Sequence, residues 1–123
     1  MTMTPQLLEE AARRFALLGD PTRLRILHVV MDGGERSVGA IADAAGVTRF
    51  NASAHLNRLA DAGLVSRRRD GTTVFYRLGD ASLPQICETM CASLRAQARS
   101  LLLPVVDGPG GQRGNRTPTA KSG

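Results

Sequence analysis

Arginine side chains are concentrated in the middle of the chain, where their chemistry suggests a polyanionic partner. Six arginines and two aspartates lie between Arg49 and Arg77, which gives this stretch a charge of +4. Guanidinium groups bind phosphate oxygens and the O6 and N7 atoms of guanine. The run Arg67–Arg69 is suited to phosphate contacts, which give affinity without sequence preference. An arginine run alone is more typical of a solvated strand, so this interpretation depends on the elements that hold the arginines.

Cys87 and Cys91 are the second group of residues whose side chains could bind a ligand or react. In a helix their i,i+4 spacing places both sulfurs on one face, with Cβ atoms about 6 Å apart. Such a pair can chelate a soft ion such as As(III) or react with an oxidant. A disulfide between them would distort the helix, because its Cβ atoms must come within about 4 Å. Free cysteine also behaves as a small buried hydrophobe, so sensing and simple packing both stay open.

The composition of the 123 residues excludes several classes of protein. Lys and Arg number 16 against 11 Asp and Glu, a net charge of +5, and all but one of the 16 are Arg. No apolar run approaches the roughly 18 residues of a membrane span, and the first residues lack the apolar segment of a secretory signal. Two cysteines are too few for a disulfide framework. We therefore expect a basic cytoplasmic protein with no membrane partner.

Hydrophobic periodicity divides residues 1–103 into elements. The predicted order is helix, helix, helix, helix, hairpin, helix, a mainly α fold with a small β-hairpin. The first four helices begin after capping residues, which are Thr4, Asp20, Ser37 and Thr48. The same helices end at glycines, which are Gly19, Gly33, Gly46 and Gly63. The last helix is capped by Asp80 or Ser82 and runs to about Leu103.

The hairpin and the end of the chain have different signatures. After Gly63 the apolar repeat shortens to about 2 residues, and Asp70-Gly71 between two such runs is a strong hairpin signal. Residues 104–123 hold five of the 13 glycines and three of the six prolines, without apolar periodicity. We therefore predict one folded domain over residues 1–103 and a disordered tail over 104–123.

The third and fourth helices, joined by the short turn Gly46–Thr48, form a helix-turn-helix. The hairpin that follows makes the predicted fold a winged helix-turn-helix of order α-α-α-α-β-β-α. In this geometry the second helix of the pair lies in the DNA major groove, and its N-terminal N–H groups face phosphates. Double-stranded DNA is therefore the partner that this arrangement predicts.

A helical wheel selects the side chains of the fourth helix that reach DNA. With Leu56 directed inward, Ala52, Leu59, Ala60 and Gly63 share its side, and Phe50, Ala54, Asn57 and Arg58 lie on the opposite side. Arg can read guanine, Asn adenine, and Ser either purine. Phe50 is the exception on this wet side, where it either contacts a thymine methyl group or packs on a neighbouring helix. The predicted DNA contacts are Thr48, Arg49, Phe50, Ser53, Ala54, Asn57, Arg58, Arg67, Arg68, Arg69 and Thr72.

Two isolated histidines complete the candidate residues. His28 lies in the second predicted helix and His55 on the flank of the fourth. For a lone histidine, a structural role is more common than metal binding. His55 has two further options, donation to a phosphate or bracing of its helix against a neighbour.

Three ordered motifs resemble the ArsR/SmtB family of bacterial repressors, over about residues 5–103. They are Phe15–Leu27 (FALLGDPTRLRIL), Ser53–Val65 (SAHLNRLADAGLV) and Arg68–Leu78 (RRDGTTVFYRL). The resemblance implies a homodimer whose first and last helices form the interface. It also implies binding to an inverted-repeat operator, with release on binding a metal ion, arsenite or another thiol-reactive signal.

The effector sites of that family match this sequence poorly. One family site uses paired cysteines in the third helix, but Ser37–Asp43 contains none. Another uses Asp and His at the start of the last helix, and Asp80–Ser82 has no His and none follows it. The resemblance therefore argues against a zinc, nickel or cobalt sensor. It leaves Cys87 and Cys91 as the candidate thiol or metal site, with As(III) as the first ligand and no obligatory cofactor.

Two other classes of function compete with a DNA-binding repressor. An enzyme with a Cys–His nucleophile pair would need an orienting carboxylate and a pocket, which no spacing suggests, so we predict no enzymatic activity. A winged helix that binds protein is the other alternative, since a fold does not fix a function. The predicted contacts Arg49, Asn57 and Arg58 favour DNA. A repressor with no metal ligand is a further alternative.

Overall fold

The computed structural model describes residues 2–101. In this range the elements are α1 (Pro5–Leu18), α2 (Pro21–Asp32), β1 (Arg36–Ser37), α3 (Val38–Ala45), α4 (Arg49–Asp61), β2 (Val65–Asp70), β3 (Thr73–Leu78) and α5 (Leu83–Leu101). The chain forms two compact units. The first ends at Ala81 and contains α1 to β3, and the second begins at Ser82 and contains α5. The predicted order of helices and hairpin is confirmed. The predicted tail (104–123) and the predicted helix end near Leu103 lie outside the described residues.

Side-chain caps fix where the first four helices begin, as predicted. The Asp20 carboxylate accepts a hydrogen bond from the Arg23 backbone N–H at 2.8 Å. The hydroxyls of Thr4, Ser37 and Thr48 each accept one from the third residue of their helix at 3.1 Å. Each cap stabilises its helix by about 1 kcal/mol. These caps therefore set the register of the helices along the chain.

The core of the first unit joins α2, α3 and α4 to the sheet. Its largest fully buried side chains are Ile26, Leu27, Val30, Ile41, Leu56, Leu59, Leu64 and Tyr76. Burial of one Leu or Ile side chain stabilises a fold by about 1.5–3 kcal/mol. Because Leu56 and Leu59 belong to this set, the core fixes which side of α4 faces outward.

The sheet has one strand more than the sequence analysis predicted. Strand β1, only two residues long, pairs antiparallel with β3 through Arg36 and Tyr76 and through Ser37 and Phe75. The strand order is β1-β3-β2. A two-residue strand has no periodicity of its own, so the sequence pattern did not reveal it.

The hairpin loop lies one residue further along the chain than predicted. Asp70 pairs with Thr73, so Gly71 and Thr72 form the loop and Asp70 ends β2. Gly71 has φ 63°, a left-handed conformation that favours glycine. The dipeptide Asp70-Gly71 thus correctly predicts a turn at this point, but the two loop residues are Gly71 and Thr72.

Helices α1 and α5 expose apolar side chains. No residue of α1 is buried, and Leu7, Leu8 and Phe15 are 50%, 50% and 61% exposed. In the second unit α5 begins directly after Ser82, whose carbonyl accepts a hydrogen bond from the Ile86 N–H at 3.1 Å. The exposed apolar residues of α5 are Ile86, Met90 and Leu94. None of the helices within residues 2–101 has the length and apolar character to cross a membrane.

Candidate nucleic-acid interface

A tight turn sets α4 against α3. Gly46 ends α3 with φ 72°, a left-handed conformation that most side chains avoid. The Val47 N–H then donates to the Ala42 carbonyl at 3.0 Å. On α4, Ala52, Leu56 and Leu59 are completely buried. The turn and the buried side of α4 together leave the opposite side of that helix exposed.

The exposed side of α4, termed the α4 face, consists of Phe50, Asn51, Ala54, Asn57 and Arg58. The ring of Phe50 is 82% exposed. It therefore does not pack on a neighbouring helix in the described part of the chain, and that alternative is wrong. Ser53, also predicted to contact DNA, is half-buried at the edge of this face.

Asn51 is a member of the α4 face that the sequence analysis missed. At about 100° per residue it lies about 140° from Leu56, further outward than Asn57 at about 100°. Its side chain is exposed, and its backbone N–H donates to the Thr48 hydroxyl at 3.1 Å. The helical wheel alone predicts that Asn51 is exposed, because Asn51 is as polar as Asn57 and points further from the core.

Arg49 rests on α3 instead of extending from the α4 face. A Cβ atom built on Gly39 would lie 2.6 Å from Arg49 Nη2 and 2.9 Å from its Cζ, so the guanidinium occupies the space that a larger residue would fill. The absence of a side chain at Gly39 permits this close approach. To contact guanine, as predicted, Arg49 must move off α3.

Asn57 connects the α4 face to the wing, the hairpin formed by β2 and β3. Its Oδ1 accepts hydrogen bonds from Arg67 Nη1 at 2.6 Å and from the Tyr76 hydroxyl at 2.8 Å. Tyr76 is 1% exposed. Bidentate recognition of adenine uses both the carbonyl and the amide of Asn. The predicted adenine contact by Asn57 therefore requires these two hydrogen bonds to break.

Arg68 fastens the wing to the segment before β1. Its Nε and Nη2 donate to the two carboxylate oxygens of Glu35 at 2.9 and 2.8 Å. Its guanidinium also lies 4.6 Å from the centre of the Phe75 ring. The hydrogen bond from Arg68 lowers the pKa of Glu35, and burial opposes this effect. Arg68 is thus a brace within the protein, which differs from the free phosphate contact that the sequence predicted.

Two predicted phosphate contacts have free guanidinium groups. Arg69 and Arg58 are exposed, and neither guanidinium forms an ion pair or hydrogen bond with residues 2–101. Thr72 is also exposed, in the hairpin loop. Arg67 differs, because Asn57 holds its Nη1 and its Nη2 lies 4.0 Å from an Asp61 oxygen. The wing and α4 therefore offer positive charge from Arg58 and Arg69 without breaking internal contacts.

Comparison with known proteins identifies the family of this arrangement. A helix-turn-helix domain family matches residues 18–68. The chain resembles a homodimeric winged helix-turn-helix DNA-binding domain from Mycobacterium bovis, a possible ArsR-family regulator whose solution structure is known, and the two sequences are 35% identical. That alignment covers 76% of this chain and 84% of the other, with a TM-score of 0.62. The chain belongs to the ArsR/SmtB family of transcriptional regulators. The prediction of a non-enzymatic protein agrees with this family.

Relatives within the ArsR/SmtB family carry several names. The antimony-specific repressor AntR is 27% identical, with 80% of this chain and 89% of that one covered and a TM-score of 0.71. The regulator CmtR of Mycobacterium tuberculosis is 40% identical over 82 residues, 66% of this chain and 69% of the relative. A probable mercury resistance operon repressor of Streptomyces lividans is 42% identical over 72 residues, 58% of this chain and 57% of its own length.

His55 of this ArsR-family chain braces α4 from its buried edge. Its Nδ1 accepts a hydrogen bond from Arg23 Nε at 3.3 Å, and Arg23 Nη1 donates to the Leu17 carbonyl at 3.1 Å. Arg23 is only 9% exposed. These contacts connect the end of α1, the start of α2 and the middle of α4. The bracing role was one of the options predicted for His55, while His28 lies exposed on α2.

The two thiols of α5 are both free and half-buried. Burial raises the pKa of Cys87, and the nearby Cys91 raises it further. Among residues 2–101 no group of three or more His, Cys, Asp or Glu side chains could hold a metal ion. A site with three protein donors built on these thiols would need a donor from elsewhere.

Proposed function

We propose that this ArsR-family chain is a cytoplasmic repressor that binds an inverted-repeat DNA operator as a homodimer. The observation that carries the proposal is the α4 face, which presents Phe50, Asn51 and Arg58 to solvent beside the arginines of the wing. A helix exposed in this way, at the second position of a helix-turn-helix, fits the major groove. The neighbouring wing fits the phosphate backbone along the groove edge.

Charge supports duplex DNA over a protein partner. The stretch from Arg49 to Arg77 carries six arginines and two aspartates. Of these arginines, Arg58 and Arg69 keep their guanidinium groups free of internal partners in the described structure. Neutralisation of phosphates by such groups releases counterions and gives salt-dependent affinity. A protein-binding winged helix has no need for this concentration of free positive charge.

The homodimer is supported by exposed apolar residues on α1 and on α5. Leu7, Leu8 and Phe15 leave α1 with an apolar side that one protomer does not cover. In the second unit Met90 and Leu94 are 61% and 49% exposed. Surfaces of this kind mark association sites, and the M. bovis relative is named as homodimeric. Two-fold symmetry of the protein then requires an inverted repeat in the DNA.

Titration of the protein onto duplex DNA at several salt concentrations tests the proposal. The probe is the sequence recovered by selection from a random duplex pool, compared with a shuffled duplex of equal composition. We expect a preference that persists as salt rises and a steep negative slope of log affinity against log salt. Arg58→Ala should weaken binding, whereas Arg25→Ala, the same charge change at an exposed position of α2, should not. Equal binding to every duplex would favour the protein-interaction alternative.

We propose further that a thiol-reactive effector acts at Cys87 and Cys91, with arsenite the first ligand to test. Their i,i+4 spacing on α5 supports a shared ligand. A mercury resistance repressor and an antimony-specific repressor among the relatives are consistent with soft ligands. Each chain has only two thiols, so a three-sulfur site needs a donor from a second copy. Ligand binding would shift the population of the DNA-competent dimer.

Operator release measured with arsenite tests this effector proposal. Reduced protein should lose operator affinity when arsenite is added, and Cys87→Ser should bind the operator but no longer respond. Ser93→Ala, a substitution of similar size on the exposed part of α5, serves as the matched control and should respond like the parent. An unchanged affinity of the parent protein in arsenite would leave the thiols with a packing role.

A further inference from the structure

We propose that Phe50 and Ala54 read a thymine methyl group in each half of the operator. This inference rests on the proposed DNA-binding function and adds the base that the α4 face selects. The two residues are spaced i,i+4, so their side chains lie next to each other on the first two turns of α4. Together they form a small apolar spot, the methyl-reading spot, on an otherwise polar helix face.

The exposure of Phe50 indicates that a partner covers it. At 82% exposed, it is the most exposed of the large apolar side chains in the described residues. It lies on α4 together with the exposed residues Asn51, Ala54 and Arg58. A ring in this position adds no packing to the core of the protomer, and it gains burial only when a partner is bound.

The surroundings of the spot limit what that partner can be. Arg49 precedes it and Arg58 follows it on α4, which favours an anionic partner. Within the major groove of DNA, the C5-methyl of thymine is the apolar group that base pairs display, and Phe and Ala side chains are among those that contact it. An exposed ring next to a methyl side chain is complementary to that group in both size and polarity.

Two of the predicted polar base contacts on α4 are engaged within the protein, whereas the methyl contact is not. The carbonyl of Asn57 is held by Arg67 and the buried Tyr76. The guanidinium of Arg49 lies on Gly39. The apolar pair Phe50 and Ala54, in contrast, is available without any rearrangement of the protein.

Replacement of thymine by deoxyuridine in the operator is the direct test, because it removes the methyl group and keeps the base pairing. Each thymine of the selected operator is replaced in turn, symmetrically in both half-sites. Loss of one buried methyl group should weaken binding about fourfold per half-site, hence about fifteenfold for the symmetric replacement. We expect this loss at one position of the half-site and little change at the others.

The Phe50→Ala variant connects the loss to the proposed residue. It should bind the thymine and deoxyuridine operators with a much smaller difference in affinity than the parent, because only Ala54 remains to contact the methyl group. The matched control is Asn51→Ala on the same face, which should retain the thymine-to-uridine ratio of the parent even where its overall affinity falls. Both side chains are exposed, so the fold of each variant is expected to persist and is checked by its unfolding midpoint.

The outcomes separate this inference from the proposed function. Sequence-preferring binding with no deoxyuridine effect at any position overturns the methyl-reading spot and leaves the repressor proposal intact. An undiminished deoxyuridine effect in Phe50→Ala overturns it as well. Absence of sequence-preferring binding to any duplex overturns both proposals.

Discussion

At the scale of single residues, the Asn57 side chain is both a predicted DNA contact and a hydrogen-bond acceptor within the protein. It lies on the exposed α4 face, and its Oδ1 also accepts hydrogen bonds from Arg67 and from the buried Tyr76 hydroxyl. A buried hydroxyl that loses its acceptor costs about 1–3 kcal/mol, because it was removed from water on folding. The polar character of Asn57 is therefore needed for stability, whatever it contacts in DNA.

Replacement of Asn57 by Ala should lower the free energy of unfolding by about 1–3 kcal/mol. The reason is the Tyr76 hydroxyl, which would lose its acceptor at a position only 1% exposed. Urea denaturation of the variant measures this loss. Asn51→Ala is the matched control and should change stability by less than about 0.5 kcal/mol, since its side chain is exposed. Equal stability of the two variants would contradict the structural role of Asn57.

The wheel of α4 shows how far sequence reasoning reaches at this scale. It correctly separates buried Leu56 and Leu59 from exposed Phe50 and Arg58, because burial follows from hydrophobic periodicity. It cannot assign partners, since Asn57 finds Arg67 and Tyr76 only after the wing has folded beside α4. Contacts between distant segments depend on tertiary packing, which a local pattern does not contain.

At the scale of elements, the starts of the helices follow from local sequence, whereas the order of the strands depends on contacts between distant segments. Caps such as Asp20 and Thr48 act within three residues, so the sequence predicts where α2 and α4 begin. Strand β1 exists because β3 offers it a partner about 40 residues later in the chain. The side-chain hydrogen bonds from Arg68 on β2 to Glu35 add a link between the hairpin and the segment before β1. The wing is therefore attached to the helical part by contacts that no short motif encodes.

The link between Glu35 and Arg68 should make the stability of the wing depend on pH. The bond to Arg68 lowers the pKa of Glu35 below its usual value of 4.5. A lowered folded-state pKa stabilises the protein above the unfolded value, and this contribution is lost as the pH falls through the folded value. The stability difference between the parent and Glu35→Gln should thus be constant near neutral pH and shrink below about 4.5. Urea midpoints measured across this range provide the test.

Arg68→Gln supplies the control for that pH dependence. In its background the Glu35 carboxylate loses its hydrogen-bonded partner and keeps only the nearby charge of Arg77, so the effect of Glu35→Gln on stability should depend much less on pH. A pH dependence that survives undiminished in the Arg68→Gln background would assign it to another partner of Glu35. The double-variant comparison also isolates the pair from other titrating groups.

At the scale of the whole molecule, the symmetry of the proposed homodimer would double every contact with DNA. The net charge of +5 describes one chain, and a homodimer on an inverted repeat presents two copies of each arginine. Arg69 is the informative position because its guanidinium has no internal partner among residues 2–101. Arg68 is less suitable, since its removal also leaves Glu35 unpaired. The slope of log affinity against log salt therefore depends on the number of protomers bound as well as on the phosphate contacts of each protomer.

Arg69→Ala should reduce the slope of log affinity against log salt by about 1.8, because each lost phosphate contact contributes about 0.9 and the dimer loses two. Its effect should be the same on the selected operator and on a shuffled duplex, since phosphates carry no sequence information. Arg25→Ala, with an equal change in charge, should leave the slope unaltered. A reduction near 0.9 would mean that one protomer grips the backbone through its wing, and it would contradict a symmetric dimer on an inverted repeat. No reduction at all would show that Arg69 lies away from the phosphates, and the wing would then contact DNA through other side chains.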